Sequence, residues 1–288
     1  MYCLENNLLK IEVAPEGAEL RSLFDKQTGR EYIWQRDARY WAKSSPILFP
    51  FVGELQNGAY SYAGKTYSMT KHGFARDAVF WLQEQGDNFL TFALEDEGLY
   101  LAIYPFSFTL LLRYELTDRQ LSCTYELYNP LDKAMYFAIG GHPAFQLDFT
   151  EGKQMTDYQL FFPKDQYLKR FYLDSGLLQP TEETVALQNT CLPLSPTMFN
   201  QDAWVLKGLQ STTVTLQSNT QDYQLDFSFE GFPYFGLWAV PGSSFICLEP
   251  WCGVNDSAMQ ELELPDKEGI VALAPLTTWS RTWSVTIK

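Results

Sequence analysis

The stretch Phe106-Ser107-Phe108-Thr109-Leu110-Leu111-Leu112-Arg113-Tyr114-Glu115-Leu116-Thr117-Asp118-Arg119-Gln120-Leu121-Ser122-Cys123-Thr124-Tyr125-Glu126-Leu127 decides the fold. Phe106, Phe108, Leu110, Leu112, Tyr114 and Leu116 fall on every second position, with mostly polar residues between them. A period of two puts alternate side chains on one face of an extended chain. Thr117-Asp118-Arg119-Gln120 reads as a turn, after which Leu121, Cys123, Tyr125 and Leu127 resume the alternation. The stretch therefore predicts a long antiparallel hairpin. The same period recurs at Leu9, Ile11 and Val13, and at Trp279, Arg281, Trp283, Val285 and Ile287. Val214-Thr215-Leu216 and the run from Tyr223 to Phe229 make a second hairpin around Ser218-Asn219-Thr220. Asn57-Gly58 and Ala63-Gly64 supply turn chemistry between short tyrosine-bearing runs.

Helical periodicity is weak, with single turns expected at 37–41 and 99–103. No strand, glycine-rich turn and helix follow one another as nucleotide binding requires. The stretch 174–197, rich in Pro, Leu and Thr, reads as a surface excursion. No linker or internal repeat divides the chain. These signals give an all-β fold, a large antiparallel sandwich or barrel with few short helices, in a single domain spanning 1–288.

The 288 residues are 46% hydrophobic and 16% aromatic, enough to fill a sizeable core. Aromatic side chains favour strands, which accounts for most of them, and their flat faces also stack on sugar rings. A net charge of −14 disfavours nucleic acid and anionic membranes as partners. The five cysteines are scattered. Cys247 and Cys252 lack the His or Cys pair that would complete a zinc site, so neither a metal nor a cofactor is expected. No segment has signal-peptide character or the length to span a bilayer. Reduced thiols and a cytoplasmic location follow as the plain expectation.

Histidine occurs only at His72 and His142, in Lys71-His72-Gly73-Phe74-Ala75-Arg76 and Gly140-Gly141-His142-Pro143-Ala144-Phe145. Imidazole titrates nearest neutral pH, so both are candidates for proton transfer. Two histidines satisfied by their neighbours would look the same. His142 ends a run that reads as a strand reaching a loop, where Ala138, Gly140 and His142 share a face and the small residues leave space beside the imidazole. Glu249 shares a strand face with Phe245 and Cys247 and is flanked by Pro250 and Trp251. That setting suits a general base of raised pKa, although an edge-strand glutamate facing water fits the pattern too. Arg76 suits hydroxyl or phosphate recognition, or a surface ion pair. Asp202 alone reads as a turn residue. Trp41, Trp238 and Trp251 are stacking platforms or core.

Several of these runs together resemble the aldose 1-epimerase (galactose mutarotase-like) family, and within it the LacX-type subgroup. They are Ser45-Pro46-Ile47-Leu48-Phe49-Pro50-Phe51-Val52-Gly53, His72-Gly73-Phe74-Ala75-Arg76, Tyr104-Pro105-Phe106-Ser107-Phe108, Gly140-Gly141-His142-Pro143-Ala144-Phe145 and Cys247-Leu248-Glu249-Pro250-Trp251. The resemblance runs from about residue 1 to about 285. It implies a large β-sandwich with a sugar site on its concave face. Carried onto matching positions, it implies Glu249 as catalytic base, His142 as catalytic acid and His72 as a hydrogen-bonding partner of the sugar. Asp202 matches the aspartate that holds sugar hydroxyls. The pattern departs at Glu54, where many relatives carry Arg after the Phe-Pro-x-x-Gly run. An acceptor there replaces a forked donor.

The resemblance also implies the chemistry, interconversion of sugar anomers by one carboxylate and one imidazole without metal or cofactor. Three readings follow. One is an aldose 1-epimerase acting on a free hexose. Another is a hexose-6-phosphate 1-epimerase, for which Arg76 and Lys43 are available to the phosphate while Glu54 opposes it. The third is a carbohydrate-binding or regulatory protein of the same fold with little turnover. The expected partner is a small sugar or sugar phosphate, and the expected assembly a monomer or homodimer.

Overall fold

The 106–127 stretch forms the expected hairpin. Strands Thr109–Thr117 and Gln120–Tyr128 pair antiparallel, with Thr117 opposite Gln120 and Leu110 opposite Leu127. Leu110, Leu112, Tyr114 and Leu116 are buried on one side, as are Leu121, Cys123, Tyr125 and Leu127 opposite them. Each apolar residue faces an apolar partner across the ladder, the pairing that stabilises a sheet. The remaining strands assemble around this hairpin in the computed structural model, which describes residues 1–259 and 262–288.

Among the described residues the hairpin sits inside a nine-stranded antiparallel sheet. On one side of it, Thr278–Ile287 leads to the second expected hairpin, Thr213–Ser218 with Gln224–Ser228, and then to Tyr158–Phe161 and Cys191–Pro193. On the other side lie Phe89–Glu95 and Trp81–Gln85. The second large sheet runs through Leu177–Ala186, Tyr167–Asp174, Trp204–Lys207, Tyr234–Trp238, Phe245–Cys252, Ile139–Gly141 and Ile47–Leu48, with Ala144–Gln146 also paired to Phe245–Cys252.

The two sheets pack face to face as a sandwich through aromatic side chains. Phe227 of the first sheet lies 5.7 Å from Phe145 and 6.1 Å from Phe235 of the second, and stacks on Trp283 at 5.5 Å. These centroid spacings fall in the favourable range for aromatic pairs. Among the described residues helical structure is confined to short 3-10 turns, and no helix is long and apolar enough to cross a membrane. The five cysteines are all unbridged.

One expectation is corrected. The stretch 174–197 is not a loop excursion: it contains strands Leu177–Ala186 and Cys191–Pro193. Leu177–Ala186 pairs along Tyr167–Asp174 with a register shift between Phe171 and Leu173, opposite the part of the strand that holds Pro180. Proline cannot donate to a ladder, but at a sheet edge and beside a bulge it need not. Mostly exposed residues on both faces, among them Glu182 and Glu183, hide the alternation that marks a half-buried strand.

Two loops are fastened where they will matter. Glu19, fully buried, accepts hydrogen bonds from the backbone N–H groups of Ser44 and Ser45 and from the Ser44 hydroxyl. This fixes the start of the segment that leads to Phe49. The 70–76 loop is laced to the same segment: Phe49 N–H donates to His72 O, His72 N–H to Gly53 O, and Phe74 and Ala75 N–H to Phe49 O. His72 and Gly73 both adopt positive φ, 68° and 73°. A Cβ at Gly73 would stand 2.2 Å from the Phe49 carbonyl oxygen. Left-handed backbone costs an ordinary residue about 1–2 kcal/mol, and the overlap adds to that. Gly73→Ala is therefore expected to lower unfolding free energy by at least about 2 kcal/mol in urea denaturation. A loss under about 0.5 kcal/mol, the range of a neutral surface change, would show that the loop is not held against Phe49.

Candidate active site

The site is built on Phe245–Cys252, whose eight residues are all buried. Its antiparallel partner Tyr234–Trp238 sets Gly236 opposite Glu249, Trp238 opposite Cys247 and Tyr234 opposite Trp251. Alternation along a strand then places Cys247, Glu249 and Trp251 on one face. The intervening Ile246 and Leu248 join the core between the sheets. Gly140 and Gly236 leave no side chain beside that face, but the space is taken by Trp251. A Cβ at Gly140 would stand 2.6 Å from Trp251 Cδ1, and one at Gly236 2.5 Å from Cζ2. The small residues near His142 thus admit an indole rather than open space.

Glu249 and His142 meet. Oε2 of Glu249 lies 3.2 Å from Nε2 of His142. His142 follows strand Ile139–Gly141, which pairs with Phe245–Cys252, so the ladder brings the two residues together. The imidazole packs against Trp41 at a centroid distance of 4.8 Å, with the edge of Trp238 at 5.6 Å and that of His72 at 5.8 Å. His72 Nδ1 accepts the Gly53 N–H at 3.0 Å, which leaves its proton on Nε2.

Burial dominates the electrostatics. It raises the Glu249 pKa well above the usual carboxylate value, with Asp202 adding to the rise. Lys71, the Trp251 indole and Arg76 oppose it. Burial pushes His142 down to about 3, and Arg76 and Lys71 push the same way. His72 is lowered by burial first, then by His142, Lys71 and Arg76. Both members of the Glu249–His142 contact favour their neutral forms. The contact is therefore a hydrogen bond in which the two groups share one proton between Oε2 and Nε2.

A cavity of about 280 Å³ opens over this pair. Glu249, His142, His72, Arg76, Asp202 and Trp251 all line it, as do Trp41 and Trp238. Asp202 sits in a turn at φ 69°, its Oδ1 accepting the Ala203 N–H at 2.7 Å. Among the described residues neither Arg76 nor Lys71 has an ion-pair partner. Two expected residues are absent from the lining. Lys43 turns its Nζ to Asp77 Oδ1 at 2.6 Å and to the Arg76 carbonyl at 3.0 Å, so it anchors the Ala75–Asp77 turn from behind. The Glu54 side chain lies against Gly176, and its carbonyl accepts the Asp256 N–H.

Lys71, Leu173 and Asn255 line the cavity although the sequence did not single them out. Lys71 adjoins His72, which was the available signal; Leu173 and Asn255 carried none. His142, Cys247 and Glu249 bring metal-ligating atoms within 4.8 Å of one another.

With the geometry established, comparison with known proteins is direct. The sequence profile of the aldose 1-epimerase family matches residues 1–251. The plasmid-encoded protein LacX of Lactococcus lactis subsp. lactis is 33% identical over 294 aligned positions, covering 99% of this chain and 98% of that protein. A galactose mutarotase related enzyme from Lactobacillus acidophilus superposes with a TM-score of 0.95 at 29% identity, over 100% of this chain and 97% of that one. A galactose mutarotase-like protein from Lactobacillus casei ATCC 334 gives 0.93 at 30% identity, over 100% of both chains. A profile matching most of the chain, on a sandwich whose buried strand glutamate meets a histidine, leads to one conclusion: the chain belongs to the aldose 1-epimerase family.

Proposed function

We propose that the protein interconverts the α and β anomers of a hexose, with Glu249 and His142 as its acid–base pair. The observation that carries this reading is their 3.2 Å contact at the base of an aromatic-lined cavity. The ring oxygen and the hydroxyl oxygen of an anomeric carbon are bonded to the same atom. Two groups in hydrogen-bond contact with each other can therefore reach one oxygen each.

The proton inventory closes. When the shared proton sits on His142, Glu249 is a carboxylate. Glu249 takes the proton of the C1 hydroxyl while His142 gives its proton to the ring oxygen, and the C1–O5 bond breaks. The aldehyde turns about C1–C2. On reclosure His142 takes the proton back from the O5 hydroxyl and Glu249 returns one to O1, so the pair ends as it began. In this reading His72, with its Nε2 proton, and Asp202 hold ring hydroxyls, and Trp41 and Trp238, which also line the cavity, face the ring's apolar side.

A phosphorylated hexose is favoured as a second reading by one observation. Lys71 and Arg76 both line the cavity, and among the described residues neither has an ion-pair partner. Cations facing a cavity suit an anionic group on the substrate.

Glu249→Gln keeps shape but cannot take a proton. It is expected to cut anomer interconversion by ~10²–10⁴-fold, and His142→Asn by a similar factor. Polarimetry on fresh anomers, with the spontaneous rate subtracted, measures both. Near-normal turnover in Glu249→Gln would mean that Glu249 is not the base of this reaction. Arg76→Ala is expected to raise KM more than it lowers kcat, with the larger rise on the hexose 6-phosphate if phosphate is the contact. An unchanged KM on both substrates would remove Arg76 from recognition.

The pH profile follows from the buried pair. Acid inactivates when a second proton enters the pair and no base remains. With His142 held down to about 3, the acid limb of kcat/KM should lie far below the ordinary histidine value of about 6.5. A limb near that ordinary value would mean that burial does not control the imidazole.

A further inference from the structure

Cys247 has no part in the reaction above, yet it stands beside the reacting pair. In the sequence Cys247 and Glu249 are two positions apart and His142 is remote, a spacing that matches no metal motif. The fold removes that separation. Ala144 pairs with Cys247 across the ladder, so the chain just after His142 runs alongside the thiol. The imidazole, the thiol sulfur and a Glu249 carboxylate oxygen lie within 4.8 Å of one another, and all three residues are buried. The cavity over the pair gives an ion a way in.

We propose that His142, Cys247 and Glu249 form a binding site for a thiophilic divalent cation of the zinc class. One nitrogen, one sulfur and one oxygen donor make a ligand set that such ions take, and two of the three ligands, His142 and Glu249, line the cavity. Zinc bonds of about 2.0–2.3 Å put neighbouring ligand atoms roughly 3.4–3.6 Å apart. The Glu249–His142 contact of 3.2 Å is already near that spacing, and the widest separation in the cluster has to close by roughly 1 Å.

The exchange balances. The thiol proton leaves as the sulfur–metal bond forms. The proton shared by Oε2 and Nε2 leaves as both atoms turn lone pairs to the ion, and the two protons pass to solvent. A dication with one thiolate, one carboxylate and a neutral imidazole has no net charge, which suits a buried site. Lys71 and Arg76 repel a dication from the cavity side and keep the affinity moderate. Magnesium and calcium, which demand oxygen ligands, are poor fits for the sulfur. Binding does not depend on the epimerase reading. Only its consequence does, since a bound ion takes the place of the catalytic proton.

The experiment uses the full chain with the exposed Cys3 and half-buried Cys191 replaced by Ser, which removes the accessible thiols. Equilibrium dialysis with Zn²⁺ should give one ion per chain. Co²⁺ should produce a thiolate-to-cobalt charge-transfer absorption. Cys247→Ala, introduced into that background and checked for folding by near-ultraviolet circular dichroism, should abolish the absorption and weaken Zn²⁺ by at least ~10-fold. His142→Asn should weaken it comparably, which tests the site without altering the thiol. No stoichiometric binding at micromolar concentrations would overturn the proposal. So would an absorption that survives Cys247→Ala, or a Zn²⁺ affinity that neither substitution changes. Loss of Zn²⁺ binding tests the site, while polarimetry on metal-free protein tests the epimerase reading, so the two can fail separately.

Discussion

A carboxyl group on a strand that is buried along its whole length has few options. Water cannot reach Glu249 freely, so it must be neutral or partnered, and the partner the fold supplies is His142. Both positions follow from backbone pairing. Tyr234–Trp238 and Ile139–Gly141 flank Phe245–Cys252, and their registers fix which face Glu249 takes. A slip of one residue would turn the carboxyl into the aromatic core and bring Leu248 to the cavity. Strand register in the second sheet is thus the constraint from which the site's geometry follows. The nine-stranded sheet contributes the apolar wall that makes any such slip costly.

The rest of the site is carried by loops, and each is tied to something rigid. Glu19 clamps Ser44 and Ser45, Lys43 pins the Ala75–Asp77 turn, and backbone bonds lace the 70–76 loop to Phe49. The Asp202 turn is steadied by Trp204, whose indole donates to the Met198 carbonyl at 2.8 Å. A sandwich with functional side chains on fastened loops combines a stiff base with adaptable recognition. The charge distribution has the same two-part character. The chain carries −14 overall, while Lys71 and Arg76 present positive charge where a ligand would enter. An anion that the net charge repels meets local attraction at this cavity.

Alternation and turn chemistry made most of the architecture legible. The 109–128 hairpin, the 213–228 hairpin and the C-terminal strand all stand where the period of two put them. The Leu177–Ala186 strand was not legible, because its two faces are almost equally wet and it contains Pro180. At the site, residues carrying rare chemistry could be read: two histidines, a glutamate beside Cys and Trp, and an arginine in a glycine-bearing loop. Contacts that depend on register across distant segments could not. Nothing local marks Asn255 or Leu173 as lining residues, and nothing local brings Cys247 to His142. Lys43 was drawn toward the cavity by nearness in sequence, and Glu54 by the family pattern from which it departs. In the fold Lys43 holds a turn from its outer side, and Glu54 packs on Gly176.

The strand Leu177–Ala186 has a further consequence beyond completing a sheet. Proteins made of ladders risk recruiting one another, because an open edge is a template for a neighbouring chain. Here three of the edge strands of the two long sheets carry features that resist such pairing. Leu177–Ala186 presents Pro180 and the acidic pair Glu182 and Glu183. Cys191–Pro193 is three residues long and closes on proline, and Trp81–Gln85 is broken by a bulge between Leu82 and Glu84. The features that disguised an edge as a loop are the ones that stop it from growing into a fibril. Protection against edge-to-edge pairing is therefore written into the same residues that obscure its outline.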